Sequence, residues 1–367
     1  MNISFLVNNF NNKGGTERVL SIIANGLINR NKIEEVSILS ICDGKSPHYT
    51  VDKRIRVVSF DCENKNRIYK RIIIPNLIHK YIKNHKIDFF ICVDIGMYSY
   101  MPKFKDIGTC KVIIWEHFNF FNGKTLKEKI KKRYAAGHAD ATVVLGDKDF
   151  DNYKKNLKRI KLLKRIYNPV PLNFNQKSNL KNKRIIAVGR LVDQKGFDIL
   201  VNVWSIIKKD KISEGWTLDI FGEGPLREKL INQIDELNLS DIKINNFTNE
   251  IKKEYLKSSI FVLSSRFEGF VLVLMEAQSA GLPVVSFDIK EGPSEIIVQG
   301  ENGFLIKPFD KNEMARKILF LMENENKRIQ FSNNSDKIIR KFDTKLIIND
   351  WEELFEELRK NEQIPEN

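Results

Sequence analysis

Long apolar runs are absent from this chain. No stretch of its 367 residues approaches the roughly 20 consecutive apolar side chains that a membrane-spanning helix needs. Cysteine is scarce: Cys42, Cys62, Cys92 and Cys110 form no CxxC pair and no zinc-type spacing. That argues against a zinc site and fits free, mostly buried thiols in a reducing compartment. The opening segment, MNISFLVNNF, lacks the basic region and long apolar run of a leader, and it reads as a first strand. No RNP-like aromatic–basic motif and no zinc finger is present, which weighs against a nucleic-acid-binding protein. These absences leave an expected cytoplasmic protein, soluble or peripheral to a membrane.

What the chain has in excess is positive charge, unevenly placed. The formal net charge is +14. Residues 1–175 hold 32 Lys and Arg against 16 Asp and Glu, whereas the remainder holds 29 against 31. The whole excess therefore lies in the first half. It points to an anionic partner on that half, a membrane surface above all. Two stretches there, Lys124–Arg133 (KTLKEKIKKR) and Tyr153–Ile166 (YKKNLKRIKLLKRI), interleave bases with apolar residues, as suits an anionic lipid interface.

Short apolar runs recur along the chain. Ile3–Val7, Val36–Ile41, Phe89–Val93, Lys111–Trp115 and Ala141–Leu145 read as strands of the first half, with helical patterns at Thr16–Leu27 and Asn76–Asn84. The polar segment Asn173–Lys183 reads as a linker. The pattern then restarts with strands at Arg184–Val188, Thr217–Phe221, Ile260–Leu263 and Pro283–Phe287, and with a helix opened by Pro225 after the third of four glycine-bearing loops. Strands alternating with helices give parallel sheets. The expected fold class is α/β, with two Rossmann-like, doubly wound domains facing across a cleft: 1–175, 176–343, and a closing helix at 344–367. Trp351, Leu354, Phe355 and Leu358 give that helix an apolar face that would pack back towards the first domain.

Four strand-end loops carry the chemistry. Gly14-Gly15 follows the first strand, where paired glycines permit close backbone approach to a phosphate or sugar. Gly189-Arg190 ends another strand, with Lys195 five residues on; a forked and a point-like cation suit a diphosphate. FGEGP, with Gly222, is a second glycine turn. The fourth is EGFVLVLME, residues 268–276, where two carboxylates bracket seven uncharged residues. Its helix would start near Phe270 or Val271, so Glu268 precedes the N-terminus and Glu276 lies more than one turn inside. An anion at the helix start, with a carboxylate on either side accepting hydrogen bonds from hydroxyls, describes a sugar joined through phosphates.

GGTERV at 14–19, WEH at 115–117, VGRLVDQKG at 188–196, FGEGP at 221–225, EGFVLVLMEAQSAGLPVVSFD at 268–288 and GPSEII at 292–297 together resemble the retaining glycosyltransferases of family 4, which have the GT-B fold. The resemblance spans nearly the whole chain and is more specific in the second half. It implies that Arg190 and Lys195 bind the donor diphosphate. Glu276 would hold the ribose, and Glu268 would contact the donor sugar beside the backbone of Gly269, Phe270 and Val271. Gly14 and Gly15 would sit under the phosphates, and His117 near the donor sugar. The activity implied is transfer of a hexose or N-acetylhexosamine, UDP-linked by preference, with retention of configuration. The implied acceptor is a lipid-linked oligosaccharide at the inner face of the cytoplasmic membrane, in O-antigen or capsule assembly. A sugar-nucleotide epimerase or a glycan phosphorylase on the same fold is the alternative.

Asp147, Asp149 and Asp151 form two overlapping D-x-D patterns, which hold a divalent cation in the other major glycosyltransferase fold. Here they follow a strand and open a helix, where acids complement the helix dipole. No metal and no cofactor is expected.

Overall fold

The computed structural model describes residues 1–102, 107–121 and 125–360; Lys124, which opens the first basic stretch, lies outside them. The chain divides into two compact units. One runs from Met1 to Pro169 and takes in the chain from Phe342; the other is Val170–Lys341. The division thus falls before residue 175, and Asn173–Lys183 is no linker. It is packed on the second unit, with Ser178 bonded to Ala280 and Ser258, Lys177 paired with Asp336, and the Leu180 carbonyl accepting from Arg328. Its few apolar atoms conceal how many backbone groups it satisfies.

The first unit contains β1 (Asn2–Val7), α1 (Gly15–Leu27), β2 (Glu35–Ser40), β3 (Arg56–Ser59), α2 (Arg67–His85), β4 (Phe89–Val93), β5 (Lys111–Trp115), α3 (Leu126–His138), β6 (Ala141–Val144), α4 (Asp147–Asn156) and β7 (Leu163–Arg165). The second contains β8 (Arg184–Val188), α5 (Phe197–Ile207), β9 (Thr217–Phe221), α6 (Arg227–Glu236), β10 (Ile242–Asn245), α7 (Ile251–Leu256), β11 (Ile260–Leu263), α8 (Leu272–Ser279), β12 (Val284–Phe287), α9 (Pro293–Ile296), β13 (Gly303–Ile306), α10 (Lys311–Glu323) and α11 (Glu325–Ile339). The last helix, α12 (Thr344–Lys360), returns to the first unit. The strand orders are β3-β2-β1-β4-β5-β6-β7 and β10-β9-β8-β11-β12-β13, parallel throughout. Each sheet is doubly wound, and its order reverses between β1 and β4 or between β8 and β11. Ligands of such sheets sit beyond the strand carboxyl ends at that reversal.

Both faces of the inner strands are covered, so their side chains are apolar at successive positions rather than alternate ones. In the first unit Phe89 packs on Phe355 with ring centroids 4.6 Å apart, and Trp115 on Trp351 at 5.2 Å, which places α12 on one face beside α1. The alternate residues Leu6, Phe90, Cys92 and Ile114 form the opposite core with Ile74, Ile78 and Ile82 of α2 and Ala135 of α3.

Further sequence expectations differ from the structure. Helix α2 begins at Arg67, not near Asn76, although Pro75 stands inside it. Proline removes one helical hydrogen bond, but Ile74, Ile78 and Ile82 bury one continuous stripe, and Asn66 caps the N-terminus by accepting from the Tyr69 amide at 2.8 Å. Pro225 lies in the turn before α6 rather than at its first position. The basic stretch Tyr153–Ile166 comprises the end of α4, a loop and β7, and its Tyr153 is core.

Candidate active site

In the second unit, the loops that follow β8 and β11 meet where the sheet order reverses. They are laced together by backbone and side chains. The Arg266 amide donates to the Gln194 carbonyl at 2.8 Å, Ser264 Oγ to the Lys195 carbonyl at 3.0 Å, and Gln194 Nε2 to the Phe267 carbonyl at 3.0 Å. The Arg266 guanidinium grips Asp198 with two bonds, at 2.8 and 2.7 Å, and the Asp193 carbonyl at 2.7 Å. That guanidinium holds the Asp198 carboxyl below the usual carboxylate range. Gly196 is required here: its φ is +63°, and a Cβ would stand 2.2 Å from the Ser264 carbonyl oxygen.

This frame brings two of the sequence-selected residues together. Lys195 Nζ lies 2.6 Å from Glu268 Oε1, which also accepts from Ser265 Oγ at 2.6 Å; Gln194 Nε2 reaches Glu268 Oε2 at 3.4 Å. Glu268 is buried. Arg190, two residues beyond β8, is exposed and makes no ion pair among the described residues. Gly222 backs the same loop: a Cβ there would stand 1.9 Å from the Gly189 carbonyl oxygen, so the FGEGP turn and the GRL turn are in backbone contact.

Val271 is the N-cap of α8 and offers no side-chain cap. Gly269 and Phe270 form the turn that leads into it. Glu276, inside the helix, is buried, and Tyr255 of α7 donates to its Oε2 at 2.8 Å. Sequence reasoning missed Tyr255, Ser265 and Gln194. Ser265 had a signal, three residues before Glu268 in a strand-end loop; nothing in KEYLKSS marks Tyr255.

Gly14, Gly15 and His117 belong to the first unit. Gly14 caps α1 beyond β1, and His117 follows β5 at the same carboxyl edge. His117 is buried beside Trp115, ring centroids 4.4 Å apart, and burial lowers its pKa to about 3. It is therefore a neutral imidazole, and its Nε2 has no hydrogen-bond partner among the described residues. The sequence did not single out its neighbour Glu116. That carboxylate is buried, accepts from the Phe118 amide at 3.0 Å and from Tyr153 Oη at 3.2 Å, and has its pKa raised to about 8 by burial and then by Asp94. Asp94 stands at the end of β4, at the sheet reversal, with φ +92°, a conformation that non-glycine residues rarely hold.

Two of the three D-x-D aspartates have structural partners. Asp147 pairs with Arg165 Nε at 2.7 Å and accepts from Tyr167 Oη at 3.1 Å; Asp149 accepts from the Phe120 amide at 2.7 Å, fixing the loop that carries His117. Among the described residues, no group of three or more His, Cys, Asp or Glu is gathered as a metal site, and no helix is long and apolar enough to cross a membrane.

Comparison with known proteins matches this geometry to a family. Residues 170–338, nearly the whole second unit, match the model described as "Glycosyl transferases group 1". An uncharacterized glycosyltransferase of Haemophilus influenzae is 30% identical over 95% of this chain and 98% of its own. AmsD, an amylovoran biosynthesis glycosyltransferase of Erwinia amylovora, is 27% identical over 95% of this chain and 98% of its own. An alpha-1,4-N-acetyl-D-galactosaminyltransferase of Campylobacter jejuni, named for a diphospho-undecaprenol-linked acceptor, is 26% identical over 98% of this chain and 99% of its own. Among solved structures, Anabaena HepE in complex with UDP superposes with a TM-score of 0.79 over 97% of this chain and 100% of its own at 19% identity, a likeness of fold. With two doubly wound parallel sheets of the GT-B type and a full-length relative at this identity, the chain belongs to the group 1 glycosyltransferases.

Proposed function

We propose that the protein transfers a hexose or N-acetylhexosamine from a nucleotide sugar, UDP-linked by preference, to a lipid-linked oligosaccharide, with retention of anomeric configuration, in bacterial surface polysaccharide assembly. The observation that carries this reading is the Lys195–Glu268 contact at the sheet reversal, next to the exposed Arg190. A diphosphate arriving there meets two cations and the uncapped start of α8. In the absence of donor, Glu268 holds Lys195 in place, so the cation is positioned before the diphosphate binds.

The chemistry follows from charge. As the bond to the sugar loosens towards an oxocarbenium-like state, negative charge grows on the departing diphosphate. Arg190 and Lys195 would stabilise that charge in a desolvated site. The acceptor hydroxyl arrives on the same face, and the leaving phosphate takes its proton. Glu268 is read as a group that holds sugar hydroxyls rather than as a nucleophile, because Lys195, Ser265 and Gln194 already engage both its oxygens. Glu276 would hold the ribose with Tyr255 fixing its carboxylate, and the neutral His117 would offer Nε2 to a sugar hydroxyl. Gly14 and Gly15 would leave room for the phosphates. We infer that no metal takes part, since Asp147 and Asp149 of the D-x-D run serve Arg165, Tyr167 and Phe120.

The relatives' names support the pathway. AmsD acts in amylovoran biosynthesis, and the Campylobacter enzyme is named for a lipid-diphosphate acceptor. The site of action proposed is the cytoplasmic face of the membrane, which the basic first half would meet. The test is incubation with UDP-, GDP- and ADP-sugars and a polyprenyl-diphosphate-linked glycan, with the new anomeric centre read by proton NMR. A glycoside of the donor's configuration supports the reading. An epimerised nucleotide sugar, or a sugar phosphate formed from glycan, replaces it with an epimerase or a phosphorylase.

A further inference from the structure

Helix α2 is apolar on two sides. Ile74, Ile78 and Ile82 face the core, yet Ile68 and Ile72 stand outside, 72% and 59% exposed. Helix α3 repeats the arrangement. Its inward residues Ala135 and Ala136 are buried, while Leu126, Ile130 and Tyr134, spaced four apart, are 74%, 56% and 59% exposed. Residues four apart fall on one face of a helix, so each helix carries an outward apolar stripe. Scattered exposed apolar residues need no explanation, but aligned ones do.

The two stripes lie over the same face of the first sheet. Residues of α2 and α3 share one buried core with Leu6, Phe90, Cys92 and Ile114. Between them, Tyr98 of the short turn Met97–Tyr100 meets Tyr134 of α3 with ring centroids 6.4 Å apart, and the same turn contacts α2. Helices α1 and α12 occupy the other face, and Ile68, Ile72, Leu126 and Ile130 all stay more than half exposed.

Charge decides what fits. The sequence of α2, RIYKRIIIPNLIHKYIKNH, contains no acid, and that of α3, LKEKIKKRYAAGH, contains one. That acid, Glu128, is held by the Thr125 cap. Arg67 and Arg71 flank Ile68 and Ile72; Lys127 and Arg133 flank the stripe of α3. An isologous pairing of two copies would set these bases against each other. An anionic bilayer takes both features at once: the apolar side chains enter the acyl boundary, while lysine and arginine reach the headgroups.

We propose that the outer faces of α2 and α3 form a two-helix platform by which the protein docks on an anionic membrane, inserting Ile68, Ile72, Leu126 and Ile130. The inference deepens the transferase reading, which supplies only the reason for docking. It replaces a diffuse basic half with one defined surface, and it makes binding partly hydrophobic and so partly resistant to salt.

Vesicle flotation tests it without donor or acceptor. The wild type is expected to float with phosphatidylcholine vesicles containing phosphatidylglycerol and to stay down with phosphatidylcholine alone. Ile72→Glu and Ile130→Glu should each weaken partition about tenfold, and Arg71→Gln with Arg133→Gln should make the remainder less sensitive to salt. These side chains are exposed, so thermal melts should match the wild type, as should turnover of a water-soluble acceptor. Flotation of both glutamate variants at wild-type levels would overturn the proposal. A concentration-dependent dimer in sedimentation, dispersed by Ile130→Glu, would also overturn it and make the face a self-interface. A wild type that floats as described but transfers no sugar counts against the transferase reading and leaves the platform standing.

Discussion

Replacing Glu116 with glutamine should stabilise the protein, and the gain should grow with pH. Glu116 is wholly buried, and its pKa is raised from 4.5 to about 8, first by burial and then by Asp94, with Lys132 opposing. A raised carboxyl pKa means that the folded state prefers the protonated form. Below about pH 4.5 both states hold the proton and no penalty exists; between 4.5 and about 8 the unfolded chain releases it and the folded chain does not, so stability falls as pH rises. At pH 7 the penalty is about 3 kcal/mol, from 1.36 kcal/mol per pH unit over the part of the shift already crossed. The amide mimics the protonated acid, accepting from the Phe118 amide and donating to Tyr153 Oη. In a unit of this size about 3 kcal/mol corresponds to roughly 6–12 °C in melting temperature. Melts of wild type and variant should coincide near pH 4 and diverge steadily towards pH 8. A difference that is flat with pH, or a less stable variant at pH 8, would refute the reasoning.

Other substitutions probe the rest of the scaffold. Gly222→Ala puts a Cβ 1.9 Å from the Gly189 carbonyl oxygen; urea unfolding should show a loss of at least ~2 kcal/mol, and wild-type stability would mean that the turn relaxes freely. Tyr255→Phe removes the donor to buried Glu276, with an expected loss of about 1–2 kcal/mol and about tenfold weaker nucleotide binding by calorimetry. Asp147→Asn breaks an exposed pair with Arg165, so its stability should drop by at most ~1 kcal/mol. Transfer by both wild type and this variant should persist in EDTA, and loss restored by magnesium would contradict metal independence.

The sequence read the inner strands well and the sheet edges poorly. β1, β2, β4, β5, β6, β8, β9, β11 and β12 all appear as apolar runs, because parallel strands between helix layers are buried on both faces. The four strands left unread, β3 (RVVS), β7 (LKR), β10 (IKIN) and β13 (GFLI), are the four sheet edges. An edge strand is short and half covered, so its composition loses the signal. At the site, placement was legible: Arg190 and Lys195 lie in the loop after β8, Glu268 in the loop after β11 and Glu276 inside α8. Their supports were not. Tyr255 reaches Glu276 from another helix, and Glu116 owes its raised pKa first to burial and then to Asp94 at the end of a neighbouring strand, relations that exist only after folding. The basic stretch Tyr153–Ile166 misled where charge alone was read, since Tyr153 lies in the core while Ile72, in a helix that Pro75 obscured, lies outside.

The central claim is that the β8–β11 reversal binds a nucleoside diphosphate. Isothermal titration of UDP, GDP and ADP into wild type, Lys195→Met and Glu276→Ala tests it directly. One nucleotide, UDP by preference, should bind the wild type, and each substitution should weaken that binding at least about tenfold, ~1.4 kcal/mol. Absence of binding by all three nucleotides, or affinity unchanged in both variants, would contradict the account.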